Sequence, residues 1–292
     1  VDAARTAMRK IADGLGVSVQ EAAVAVIRTA EAAMVNALKL VSIQRGHDPR
    51  DFSLIVGGGG GGMHGALLGR ELGVKEIIVP LHPGLFSAWG MLVTEPRRDF
   101  QLTKLISSDD VSHLAILEIF NGLREEAAAY YQEDADLSGT DVTYEGRIDM
   151  RYVGQEHTVS VPVDSSDPVP DTILDRFHAA HEKTYTFQLD DTPVEFVTYR
   201  LTAYAKVEKL EIKPLSAAGR PLELALQGTR AVDFAEDGRH DTGIYRRDLL
   251  PPGASFSGPA IIEEATSTTL ILPGQSVRVD DYGFLHIADE QQ

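Results

Sequence analysis

Six consecutive glycines, Gly57 to Gly62, follow the apolar run Phe52-Ser53-Leu54-Ile55-Val56 and precede Met63-His64-Gly65-Ala66-Leu67-Leu68. The order predicts a buried strand, a turn without side chains and the start of a helix. Glycine lacks the Cβ and tolerates positive φ, so such a turn can bend sharply and let a ligand approach the backbone. A helix starting there aims unpaired N–H groups and the positive end of its dipole into the gap. The natural occupant is an anion, above all a phosphate. Gly57, Gly58, Gly59, Gly60, Gly61 and Gly62 are therefore the candidate cofactor-binding residues. His64, in the first helical turn, either adds its ring to the anion site or packs beneath the loop.

One familiar nucleotide motif is disfavoured by this stretch and a second is ruled out. A dinucleotide site wants an acidic residue ending the second strand, about 20 residues on. Here the next strand, Glu76-Ile77-Ile78-Val79-Pro80, carries its acid at the start. A P-loop wants Lys-Ser or Lys-Thr after the glycines, and neither is present. Two structural alternatives stay open: a turn that lets strand and helix pack closely, and a flexible glycine linker.

The 292 residues suit two domains, each large enough for its own core. A net charge of −17 disfavours nucleic acid or an anionic membrane as a partner. With no cysteine, disulfides and zinc–thiolate sites are excluded. No apolar stretch is long enough to span a bilayer and no signal peptide opens the chain, so the expected compartment is the cytoplasm.

The first residues lack an initiator Met and run straight into helical periodicity, with Ala4, Met8, Ile11 and Leu15 on one stripe. The expectation is a fragment of a longer protein. Ser18-Val19-Gln20-Glu21 is a capping box opening an Ala-rich helix, with Ala22, Val26, Ala30, Ala33, Ala37 and Val41 predicted inward and Gly46 ending it. Strand 52–56, helix 63–72, strand 76–80 and a short helix 85–92 make an α/β first domain over residues 1–97. Residues 98–292 are predicted as a second, α+β and mostly antiparallel domain. Its helices fall near 111–133 and 171–185, and its strands at 142–153, 157–163, 194–208, 230–235, 256–263, 268–272 and 284–287. A disordered tract is expected only in the last few residues.

Smaller constellations are read as follows. His178 and His181 share a helix face and could share a metal, yet no carboxylate motif beyond nearby Glu182 completes a site, so packing or surface roles are preferred and no metal site is assigned. Ser87 and Ser267 have no base nearby in sequence. Glu263 and Glu264 point to opposite faces of a strand, which suits a rim or partner contact better than a catalytic dyad. Asp109-Asp110 and Glu125-Glu126 read as solvated helix acids.

Several blocks resemble the hydantoinase A/5-oxoprolinase family across nearly the whole chain: Ser42 to Phe52, the glycine loop with Met63-His64-Gly65, Pro83-Gly84-Leu85-Phe86-Ser87-Ala88-Trp89-Gly90-Met91-Leu92, Arg151 to Gln155, Phe177 to Glu182, and Gly258 to Glu264 with Ser267-Thr268-Thr269. The resemblance implies an actin/Hsp70-like (ribonuclease H-like) nucleotide fold, with residues 1–97 as the end of one lobe. It implies ATP and Mg as cofactors of the intact protein, a cyclic amide substrate, and a B-type hydantoinase/oxoprolinase subunit as partner. The nearest variant is the nucleotide-binding subunit of an acetone or acetophenone carboxylase with a ketone substrate; a non-catalytic docking module is the other alternative. A homo-oligomer is compatible with all three. The family's upstream Asp-x-Gly-Gly-Thr phosphate motifs are absent from this chain, so the fragment is expected to be inactive alone and to bind nucleotide weakly. Extra glycines replace the bulkier residues common in the family loop, which raises the cost of ordering it by on the order of 1 kcal/mol per residue. Val at Gly59 or Gly61 is expected to remove nucleotide affinity without unfolding the domain.

Overall fold

The structure, a computed structural model, describes residues 2–134, 136–189, 191–208, 211–215 and 220–290. Of the final residues expected to lack order, 291 and 292 lie outside the described residues. The chain opens with helices α1 (Asp2–Leu15) and α2 (Val19–Val41). Ser18 caps α2: its Oγ accepts from the Glu21 amide at 3.1 Å, and Glu21 accepts from the Ser18 amide at 2.8 Å. The helix ends at Val41, before Gly46, which closes a separate 3-10 turn over Ile43–Arg45. Strand β1 (Leu54–Ile55), helix α3 (Gly61–Leu72), strand β2 (Ile77–Val79) and helix α4 (Phe86–Val93) then follow in the expected order.

The middle of the chain forms β3 (Arg97–Ser107), α5 (His113–Glu133), β4 (Val142–Tyr152), β5 (Val159–Val163), α6 (Pro170–Tyr185) and β6 (Val194–Ala205). The last part is all strand and turn: β7 (Leu226–Asp233), β8 (Arg239–Arg246), β9 (Ser255–Ser257), β10 (Ala260–Glu264), β11 (Ser267–Ile271), β12 (Gln275–Val279) and β13 (Leu285–Asp289). The single strand expected over 256–263 is two, because Pro259 has no N–H to carry a ladder through; β9 pairs with β12, while β10 joins β8 and β11.

The first boundary between compact units falls near the expected cut at residue 97, but the units share the rest of the chain differently from two contiguous domains. One compact unit comprises residues 1–92 together with 210–292, and the other residues 93–209. The reason lies in β2, whose two edges both need partners. One is taken by β1 in parallel, Leu54 opposite Ile77, and the other by β13 in antiparallel, Ile287 opposite Ile77 and Leu285 opposite Val79. The resulting five-stranded sheet runs β1-β2-β13-β12-β9, and a second sheet of the same unit runs β11-β10-β8-β7. Between them Val56, Ile77, Val79, Ile262, Ile271, Val277, Leu285 and Ile287 form one core.

Helix α2 presents a different face to this unit from the one its alanines suggest. Ala22, Glu31 and Val35 are its buried residues, whereas Val26, Ala30, Ala33, Ala37 and Val41 are exposed. Small residues spread all round the helix leave the periodicity ambiguous, and the contact with α3 selects the stripe. On α1 only Ala12 is fully buried; Ile11 and Leu15 are exposed.

Residues 93–209 build a four-stranded antiparallel sheet in the order β3-β6-β4-β5. Helix α5 leads from β3 to β4 with β6 inserted between those strands, and α6 leads from β5 to β6 with β4 inserted between them. The core is closed by Phe120 and Ile116 of α5, Phe177 and Ile173 of α6, and the inward sheet residues Ile148, Met150, Phe196 and Leu201. Tyr199 is fully buried edge-on to Phe120 with no hydrogen-bond partner for its hydroxyl. Burial pushes its pKa up. Tyr199→Phe removes a desolvated, unpaired hydroxyl and is expected to stabilise this unit by about 1 kcal/mol, read from a denaturant midpoint; a loss of stability would mean that the hydroxyl is satisfied after all.

Candidate functional site

The glycine loop leaves β1 through Val56, whose amide donates to the Ile78 carbonyl at 3.0 Å. Gly58 adopts φ +87°, open to glycine at no steric cost, and its N–H donates to the Pro83 carbonyl at 2.7 Å. That bond ties the loop to the turn before α4. Helix α3 then begins at once, with the Gly61 amide on the Gly58 carbonyl and the Met63 amide on the Gly60 carbonyl. Gly57 to Gly60 are exposed, and the Gly59 and Gly60 amides bond to no described residue. The strand–turn–helix order read from sequence is therefore present, with free donors at the start of a helix.

The loop is equally a packing device. A Cβ on Gly62 would lie 2.5 Å from Thr269 Oγ1 and 2.8 Å from the Thr268 carbonyl oxygen, so α3 rests on β11 only because position 62 has no side chain. A Cβ on Gly59 would come within 2.9 Å of the Thr266 carbonyl. Valine at Gly59 would thus disturb the fold as well as any ligand, which corrects the expectation for that position. Gly60 is different: nothing lies within 4 Å of its would-be Cβ.

His64 turns toward α2, with Nδ1 3.3 Å from the buried carboxylate of Glu31. A ring engaged by a carboxylate beneath the loop matches the packing alternative. His178 and His181 are also engaged in packing. Tyr152 Oη and His178 Nδ1 lie 2.7 Å apart, while the fully buried His181 ring meets the Phe187 carbonyl at 2.9 Å and Gln155 Oε1 at 3.1 Å. Glu182, Ser87, Asp109, Asp110, Glu125 and Glu126 are exposed. Ser267 Oγ donates to Glu264 Oε1 at 3.2 Å, and Glu263 points to solvent on the opposite face.

Two side chains beside the loop carry no sequence signal. Arg247, in what reads as a charged surface turn Arg246-Arg247-Asp248, is only 4% exposed. Its Nη2 donates to the carbonyls of Val79, Pro80 and Gly283 at 3.2, 3.4 and 2.6 Å. Burial lowers its pKa to about 10, with Glu264 and Asp280 holding it up, so it stays charged at neutral pH. His82 is held in the left-handed region at φ 54°, unusual for a residue with a Cβ, and its Nδ1 lies 3.8 Å from Glu264 Oε2. The pairing of β10 with β8, Glu263 opposite Arg246, helps bring these groups together.

Mixed α/β architecture with largely antiparallel sheets, and a strand–glycine loop–helix element at its edge, define the class of this chain. Residues 1–100 match the hydantoinase/oxoprolinase family and residues 109–290 match the hydantoinase/oxoprolinase C-terminal domain. The chain belongs to this family. It is 32% identical over 288 residues to caprolactamase subunit alpha of Pseudomonas jessenii, covering 96% of this chain and 41% of that one. The crystal structure of ATP-dependent caprolactamase from Pseudomonas jessenii is similar with a TM-score of 0.82 at 29% identity, over 96% of this chain and 41% of that chain. A nucleotide-free acetone carboxylase structure shares the fold, with a TM-score of 0.71 at 23% identity over 98% of this chain and 42% of that one. The chain thus spans about two fifths of the length of these relatives. No described helix is long and apolar enough to cross a membrane.

Proposed function

We propose that this chain supplies one wall of the ATP site in a larger subunit that opens a cyclic amide. The observation that carries the reading is the likeness to an ATP-dependent caprolactamase along 96% of the chain. In this reading residues 1–97 close one lobe of an actin-like nucleotide fold, the remainder of the cleft comes from parts of the protein outside these residues, and the 292-residue chain alone is inactive. Bound ATP would supply the phosphoryl group that turns an amide oxygen into a leaving group, Mg would supply positive charge to its phosphates, and residues 57–62 would hold the phosphate end.

The residues present fit a phosphate wall. The free Gly59 and Gly60 amides and the dipole of α3 favour an anion even in a chain of net charge −17. Side-chain-free residues 57–62 offer no carboxylate to Mg, so its ligands would come from elsewhere in the intact protein. His64, tied to Glu31, serves the loop by supporting α3 from beneath. A B-type subunit is the proposed partner and the cytoplasm the proposed compartment. The carboxylase alternative has the weaker support, since the acetone carboxylase structure is the less similar of the two, at 23% identity against 29%.

The test is calorimetric titration of Mg-ATP into the intact protein and its Gly60→Leu variant. Position 60 has room for a side chain, so the variant should fold, and nucleotide affinity should fall at least about tenfold, or 1.4 kcal/mol. Unchanged affinity in a folded variant would remove the loop from the site.

A further inference from the structure

A cavity of about 620 Å³ lies within the middle unit, where the end of β5 and the turn after it meet β4 and α5. Gly146 of β4 makes that meeting possible. A Cβ there would stand 2.8 Å from Ser165 Cβ and 3.1 Å from the Val163 carbonyl oxygen, so the turn lies against the strand only because position 146 has no side chain. Ser165 is left 6% exposed, and its Oγ accepts from Arg124 Nη2 of α5 at 2.7 Å. Arg147 of β4 lines the same cavity.

These two arginines are held in place without being neutralised. Arg124 also donates from Nη1 to Asn121 Oδ1 at 3.1 Å, and its guanidinium carbon lies 5.8 Å from the centre of the Tyr144 ring. Arg147 donates from Nε to Ser160 Oγ at 3.1 Å and from Nη2 to the Ser160 carbonyl at 2.8 Å. All of these partners are neutral, whereas Arg28, Arg97, Arg151 and Arg200 each meet a carboxylate. A guanidinium carries five N–H donors, so Arg124 and Arg147 each keep spare ones. Arg147 is exposed and Arg124 half-buried, with none of the Arg124 nitrogens both sealed from solvent and unpartnered, so the spare donors are reachable. The Ser165 hydroxyl donates to no described residue. The acids of this wall are turned to other partners. Glu145 accepts from Tyr204 Oη at 3.2 Å, on the β6 side of its strand, and Asp164 folds back on the Ser166 amide and hydroxyl at 2.9 and 2.5 Å.

Positive charge and unspent donors around a cavity whose acceptors are already engaged suit an oxyanion, since the guanidinium fork matches carboxylate and phosphate alike. A cation would meet two guanidiniums, and a neutral ligand would leave their charge uncompensated. We propose that this cavity binds a small organic acid. Its carboxylate or phosphate group accepts from Arg124 and Ser165, Arg147 adds positive charge at the same mouth, and its apolar body lies against the Tyr144 ring. The site is independent of the nucleotide wall: its residues all belong to the unit of residues 93–209, and the glycine loop belongs to the other.

The experiment is calorimetric titration of the full chain with phenyl phosphate, benzoate and neutral benzamide. Salt at about 0.15 M screens the acidic remainder of the chain beyond about 8 Å. Expected is saturable binding of at least one of the two anions, with benzamide at least about tenfold weaker. The tighter of the two anions assigns phosphate or carboxylate. Arg124→Gln should weaken that binding at least about tenfold. Arg147→Gln, at an exposed position, keeps the test open should the first variant not fold, and should weaken binding at least about threefold. Arg230→Gln, an exposed arginine of the other unit, should leave binding unchanged. No saturable binding of either anion, benzamide binding as tightly, unchanged affinity in a folded Arg124 or Arg147 variant, or an equal loss in Arg230→Gln would each overturn the proposal.

Discussion

Gly62→Val is expected to destabilise the first unit by about 3 kcal/mol, at the upper end of what overpacking costs. The added Cβ would stand 2.8 Å from the Thr268 carbonyl oxygen and 3.1 Å from Thr269 Cα, both backbone-fixed atoms of β11 that cannot swing aside. Helix α3 would have to lift off the strand. Its other small residues leave no slack, since a Cβ at Gly65 would meet Val56 Cγ1 at 2.9 Å and one at Gly69 would clash with Ile77. A total stability of about 5–15 kcal/mol leaves little margin for such a loss. Denaturant melts of Gly62→Val beside Gly60→Ala give the contrast: the second should match the parent within about 0.5 kcal/mol, because nothing lies within 4 Å of that Cβ. If the two variants melted alike, the close approach of α3 to β11 would be wrong.

Excising residues 93–209 should yield a folded, cooperatively melting domain, whereas deleting residues 210–292 should unfold residues 1–92. The ends of the middle unit meet: Arg97 at the start of β3 pairs with Tyr204 near the end of β6, and the Ala205 amide donates to the Pro96 carbonyl at 3.0 Å. Its core of Phe120, Phe177, Tyr152 and Phe196 is complete within its own boundaries. Residues 1–92 have no such independence. Without β13 the inner edge of β2 is bare, and without β11 the Gly62 end of α3 loses the strand it rests on. Hydrogen exchange on the two truncated chains reads the result directly. A stable 98–292 piece protected throughout, including β13, would overturn this division and restore the contiguous one.

Local signals were legible because local chemistry decides them. The Ser18–Glu21 capping box, the end of α3 at Gly73 and the helices α5 and α6 depend on neighbours a few residues away. Strands β3, β8 and β12 gave no comparable signal. Strand β3 is Arg97-Arg98-Asp99-Phe100-Gln101-Leu102-Thr103-Lys104-Leu105-Ile106-Ser107, with Phe100 its one fully buried residue, so no alternation marks it. Its place is held by pairing with β6, whose own pattern alternates between buried and partly buried residues over most of its length. The glycine loop was visible and its ambiguity was real: the same six residues free two amides and let α3 close on β11.

What the sequence determined by itself is the set of short-range elements, the glycine loop between β1 and α3, and, through ordered blocks of residues, the family. Tertiary structure alone decided that β13, more than 200 residues on, completes the sheet of β2, and that Arg247 is buried against the carbonyls of Val79, Pro80 and Gly283. The physical reason is the range of the forces involved. Caps and turns are satisfied within a few residues of backbone, but a strand edge or a buried guanidinium is satisfied by whichever distant segment arrives there, and nothing in its own neighbourhood records which one that is.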